Sequence, residues 1–179
     1  MYARSLPQQI ATDLGRLTKA TPAEETAISE TLKNPGLSTL DYGHKDPFRG
    51  AAISYSYRYC CGLALIGDNI IGLSHYNENE DPKRGNPKVY VPSLAGKMRG
   101  KSQEVSAVIM GGDGEHLESI VDVLDGLGIP LVGGFADGWA INEKSQYTKA
   151  LIVMPQMRSV YMVLVDTFLS LGKYFRLTP

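Results

Sequence analysis

The sequence predicts an α+β fold: a layered α/β sandwich with mostly antiparallel sheets and a helical N-terminal extension. Three observations carry this. The first forty residues show helical spacing, a block of short apolar and alternating runs begins at Gly50, and one amphipathic helix interrupts that block before further strands close it. A regular strand-helix-strand repeat is absent, which argues against a parallel wheel.

Leu6, Ile10, Leu14 and Leu17 recur at spacings of three and four, which puts a helix near the start. A second helix opens at Thr21. Its hydroxyl suits the N-cap, Pro22 suits the first helical position, and Glu24 and Glu25 face the positive end of the dipole. Asn34-Pro35-Gly36 ends it, and DYGHKDPFRG, from Asp41, reads as a loop. Residues 1–40 form the extension and 41–179 the main domain, together one compact unit.

Strands follow in AAISYSYRY from Ala51, CGLALIG from Cys61 and NIIGLSHY from Asn69. The polar stretch NENEDPKRGNPK is an exposed loop, and VPSLAGKMRG from Val91 a short helix. EVSAVIMGG is a buried strand. In HLESIVDVLDGLG, Leu117, Ile120, Val121 and Leu124 share one helix face, and Gly128 is the C-cap. IPLVGGF, KALIVMP and VYMVLVDTF are the closing strands, and Tyr174 and Phe175 in the tail are packing residues.

Composition limits the function. The chain has 179 residues, 43% hydrophobic and 21% charged, with a net charge of -1, so no global field favours nucleic acid or an anionic membrane. No apolar run approaches the roughly 18 residues that span a bilayer, and the N-terminus lacks a basic-then-apolar leader, so a cytoplasmic protein is expected. Zinc-type ligand spacing is absent and MGGDGE from Met110 matches neither dinucleotide nor Walker glycine patterns, so no metal or other cofactor is expected.

Both cysteines, Cys60 and Cys61, lie one strand before His75. Hairpin parity decides which side chains meet. With a three-residue loop, Gly67-Asp68-Asn69, Ile66 pairs with Ile70 and Cys61 lies opposite His75, at a Cβ separation of about 4.5–5.5 Å. With a two-residue loop, Asp68-Asn69, His75 moves to the face of Cys60, one diagonal away. Asn69 suits the left-handed last position of the longer loop, which favours Cys61. An imidazole beside a thiol takes its proton, leaves a nucleophilic thiolate and returns the proton to a leaving amine. A third polar group orients the ring; Ser54, Ser56 and Ser74 are near in sequence. Against this stands the packing role of buried cysteine as a small hydrophobe.

CGLALIGDNIIGLSHYN resembles the active-site segment of the CheD family, the chemoreceptor glutamine deamidases. Cys61 precedes Asp68 by seven residues and GLSH ends on His75, as in that family's pattern; VIMGGDGEHLESIVDVLDGLGIPLVGG resembles its later strand, glycine pair, helix and strand. The resemblance spans residues 50–155. It implies a layered sandwich with Cys and His on adjacent strands, and hydrolysis of a glutamine side chain to glutamate and ammonia through a thioester on Cys61. The implied partner is a protein with an exposed glutamine. The family's third catalytic residue is a Thr six positions before the Cys, where this chain has Tyr55; Ser54 or Ser56 takes that place only with a strand bulge. The family's helix Asn is replaced by Glu115-His116-Leu117, and its late Arg is missing from ADGWAINEK. Two other readings stay open: a non-enzymatic binding domain of the same fold, and a thiol hydrolase acting on a small-molecule amide or thioester.

Ser74, Gly111, Gly112 and Asp137 complete the candidate substrate and oxyanion region, the glycines through backbone N–H groups ahead of a helix. His44 reads as an exposed loop histidine, His116 as a surface residue, and Trp139 as packing.

Overall fold

Alternation along the two central strands sorts their side chains onto two buried faces. A computed structural model describes residues 7–55, 57, 60–76, 82–112, 114–136, 147–166 and 172–179. In chain order these form β1 (Ile10–Ala11), β2 (Thr18–Lys19), α1 (Pro22–Leu32), β3 (Ser38–Leu40), β4 (Gly43–Phe48), β5 (Ala52–Ser54), β6 (Cys61–Ile66), β7 (Ile71–Tyr76), α2 (Pro87–Arg99), β8 (Ser106–Gly111), α3 (Gly114–Leu127), β9 (Leu131–Phe135), β10 (Tyr147–Met154), β11 (Ser159–Asp166) and β12 (Gly172–Arg176).

The strands make two six-stranded sheets, β1-β9-β8-β6-β7-β4 and β2-β12-β11-β10-β5-β3. Most pairs are antiparallel; β1–β9, β8–β9 and β3–β5 are parallel. Ala64, Ile66, Ile71, Leu73 and Val108 of the first sheet share a core with Leu151, Val153, Met162 and Leu164 of the second. The other face of the first sheet, with Leu63, Leu65 and Ile109, packs on α2 and α3 through Val91, Leu94, Met98, Leu117 and Ile120. The outer face of the second sheet buries Ile53, Ile152 and Tyr161 against Ile28 of α1. The order of layers is α2/α3, sheet, sheet, α1, so β6, β7 and β8 are covered on both faces and nearly all their residues are buried, Ser74 and His75 among them.

α1 starts as the sequence predicts. Thr21 and Glu24 form a capping box, with Glu24 Oε2 accepting from the Thr21 N–H at 2.8 Å. Gly128 ends α3 at φ 64°. The expected first helix is corrected among the described residues: Ile10–Ala11 pairs with β9, Thr18–Lys19 pairs with β12, and only a short 3-10 turn lies between. Leu14 and Leu17 pack on the inter-sheet core, so their helix-like spacing serves two strand edges instead. The loop expected at DYGHKDPFRG is also corrected. Gly43–Phe48 is edge strand β4, and Pro47 is tolerated where the register shifts between Lys45 and Phe48.

The favoured hairpin register is corrected as well. Ile66 pairs with Ile71 and Gly62 with His75, so Cys61 lies opposite Tyr76, not His75. Gly67 N–H donates to the Ile70 carbonyl at 2.9 Å, leaving Asp68-Asn69 as the tip. Asn69 does adopt the left-handed conformation, φ 56°, but within the shorter loop. Distant residues hold this tip. Asp68 N–H donates to Ser102 Oγ at 2.9 Å, and the Asp68 carboxylate lies 3.3 Å from Arg158 Nη1. A Cβ on Gly67 would sit 2.7 Å from that of Ser102. Ser102→Ala removes the acceptor for a partly buried N–H and is expected to cost roughly 1–2 kcal/mol, read as a lower urea midpoint at unchanged slope.

Candidate active site between the sheets

His75 sits on β7 between two glycines, Gly62 on β6 and Gly43 on β4. Its side chain points toward the second sheet, where Ser54 on β5 meets it: Ser54 Oγ lies 2.9 Å from His75 Nδ1. Ser54 Oγ also donates to the Leu40 carbonyl at 2.6 Å. A hydroxyl has one proton and a carbonyl only accepts, so Nδ1–H is the donor to Ser54. In the neutral ring this leaves the Nε2 lone pair as the base. The ring is 1% exposed, and burial pushes its pKa down to about 4, against a smaller opposing pull from the Asp41 carboxylate.

Tyr57 stacks on this imidazole, with centroids 3.9 Å apart and planes at 14°. Its ring occupies the space a side chain at Gly62 would need; a Cβ there would lie 2.8 Å from it. Burial raises the Tyr57 phenol, which stays neutral. Cys60 belongs to the same inter-sheet cluster, packed with Tyr57, Met110 and Leu73.

Lys149 was not among the residues singled out from the sequence. It shares the inward face of β10 with Leu151 and Val153 and is 2% exposed. Burial lowers its pKa to about 8, with attraction from Cys60 and then Cys61 opposing the shift. The available signal was parity: a lysine stands in an apolar strand at the position of an inward residue. The inter-sheet face therefore gathers a thiol, a neutral imidazole held by a serine, and a buried lysine.

Cys61 lies on the other face. It packs with Tyr76, Tyr90, Val91 and Leu117, and its Sγ is 3.7 Å from the Gly111 carbonyl. Gly111 and Gly112 take φ 77° and 89°, and a Cβ on Gly112 would lie 3.2 Å from Cys61 Sγ. The glycine pair thus sits on Cys61 and not on the His75 face. Ser74 follows Tyr76 toward the helices, and its Oγ is buried without a hydrogen-bond partner among the described residues. His116 is corrected from surface to core: it is buried, with Nε2 3.4 Å from Tyr90 Oη. His44 is on β4 and meets Tyr76 Oη through Nδ1 at 2.7 Å. Ser56, Asp137 and Trp139 lie outside the described residues. Among the described residues no His, Cys, Asp and Glu group is placed to hold a metal, and no helix is long and apolar enough to cross a membrane.

The chain matches no model of a known protein family and no curated protein.

His75 makes stability depend on pH with a defined sign. Between its ordinary value of 6.5 and about 4 the unfolded chain binds the extra proton, so the contribution is full above 6.5 and lost as pH falls through 4. The loss is on the order of 3 kcal/mol. His75→Gln is expected to flatten this part of the stability-pH curve, measured by urea unfolding from pH 7 to pH 4 against wild type.

Proposed function

We propose that the chain is a cysteine-dependent amidohydrolase resembling the protein-glutamine deamidases, with Cys60 as nucleophile. The observation that carries this is the placement of Cys60, the Ser54-held His75 and Lys149 on one buried face. His75 takes the Cys60 proton, and the thiolate attacks the side-chain amide carbonyl of a glutamine on a protein substrate. The C–N bond breaks, ammonia leaves with the proton that His75 returns, and a thioester remains on Cys60. Water, deprotonated by the same imidazole, hydrolyses it to glutamate and restores the thiol. Lys149 favours the thiolate by its charge. Substrate entry requires the Tyr57 ring to leave Gly62, since that ring covers the imidazole. The sequence resemblance points to Cys61 and the hairpin geometry to Cys60, so the test is run on both.

A second reading is a binding domain of the same fold without catalysis. The stacked Tyr57 and the burial of both thiols favour it.

Brief iodoacetamide treatment at pH 7, followed by peptide mass mapping, separates them. Cys60 is expected to label at least ten times faster than Cys61, and His75→Ala or Lys149→Met to remove that preference. Incubation with glutamine peptides and an acid quench is expected to release ammonia and trap an acyl adduct on Cys60. Labelling confined to Cys61 would move the nucleophile, and no labelling before unfolding would leave the binding reading.

A further inference from the structure

The chain crosses from one sheet to the other beside the imidazole. β3 is an edge of the second sheet and β4 an edge of the first. Only Asp41 and Tyr42 lie between Leu40, the end of β3, and Gly43, the start of β4. These two residues therefore span the gap between the sheets and close that side of the sandwich. Leu40 pairs with Ser54 and Gly43 pairs with His75, so the crossing falls level with the site. The hydrogen bonds from His75 to Ser54 and from Ser54 to Leu40 end at this corner. Asp41 acts on the imidazole from the same corner.

Tyr42 faces both ways. Its ring centroid lies 6.1 Å from that of His75, which points between the sheets. It also lies 5.4 Å from that of Tyr76, edge to face, on the side of the helices. There Tyr42, Tyr76 and Val89 help line an open cavity of about 480 Å³. One ring thus stands between an outer cavity and a buried imidazole. Of the two tyrosines beside His75, Tyr57 is 2% exposed and Tyr42 is 37% exposed, so Tyr42 is the one that solvent meets. Gly43 takes φ 106°, and outside its chain neighbours a Cβ there would meet nothing within 4 Å. The glycine serves the backbone angle of a turn, not a crowded contact. Rotation of a half-exposed ring on such a turn is far faster than separation of paired strands.

We propose that the β3–β4 corner is the entrance to the inter-sheet site, with the Tyr42 ring as its cover and the outer cavity as its vestibule. This deepens the function proposed above and rests on the inter-sheet face being the working site. It gives the glutamine side chain a way in from the edge, and leaves its peptide backbone in the open cavity.

Diethyl pyrocarbonate, which acylates neutral imidazole, reads the entrance without any substrate. The rate at each histidine is followed at pH 7 by peptide mass mapping, and His116, buried under Tyr90, reports general loosening. Tyr42→Ala is expected to raise the His75 rate roughly fivefold or more with His116 unchanged. Tyr42→Phe, which keeps the ring, is expected to stay near wild type. Val89 is 56% exposed, so Val89→Trp fills the vestibule without disturbing the core. It is expected to lower the His75 rate roughly threefold, in wild type and in Tyr42→Ala alike. The proposal fails if Tyr42→Ala leaves His75 unchanged, if His116 rises with it, if Tyr42→Phe opens the site as far as Tyr42→Ala, or if Val89→Trp has no effect. Ammonia release from glutamine peptides is scored separately. Its absence alongside a Tyr42-dependent His75 rate removes the reaction and keeps the entrance.

Discussion

The pairing of Gly62 with His75 is the constraint on which the site depends. In a strand of period two, one residue of slip would exchange every side chain between the two buried faces. The observed pairing sends His75, Ala64 and Ile66 into the inter-sheet core and Cys61, Leu63 and Leu65 toward α2 and α3. It also puts a residue without a Cβ beside the imidazole, which leaves room for the flat face of Tyr57. Any larger side chain at position 62 would compete with that ring.

Placing titratable groups between two sheets is costly unless each is neutral or paired. His75 meets this by remaining neutral and giving its one N–H to Ser54, whose own proton goes to Leu40. The short chain of bonds starts on the first sheet and ends on β3 of the second. It therefore fixes a tautomer and ties the sheets together at the same point. Burial disfavours the charged form of Lys149 and lowers its pKa to about 8. A thiolate in the same layer would offset this, which makes the lysine and the cysteine mutually supportive.

Local chemistry was legible in the sequence where it acts locally. Thr21 with Glu24 marked the start of α1, Gly128 the end of α3, and the apolar runs from Cys61 and Asn69 the central hairpin. The register of that hairpin was not legible, because Ser102 and Arg158 hold its tip from 34 and 90 residues away. Edge strand β4 was hidden by its charges and proline, which a strand bonded on one side tolerates. Leu14 and Leu17 mimicked a helix because a 3-10 turn between two short strands also brings alternate turns to one core. Ser54 was visible as a candidate, whereas its reach across the sandwich depends on β5 pairing with β10. His116 looked superficial at a helix start, but Tyr90 of α2 covers it.

The sheet order also sets a timetable for synthesis. β1 is completed by β9, and β2 by β12, so the earliest strands pair with strands made more than a hundred residues later. Glu24 adds to this: it caps α1 while accepting from Tyr161 Oη and meeting Arg176. A ribosome-bound chain that has reached β8 holds the central hairpin and its helix α2, but no partner for its own beginning. Such high sequence separation slows folding and leaves edges unpaired in the meantime. β1 and β2 can join their sheets only once β9 and β12 have been made.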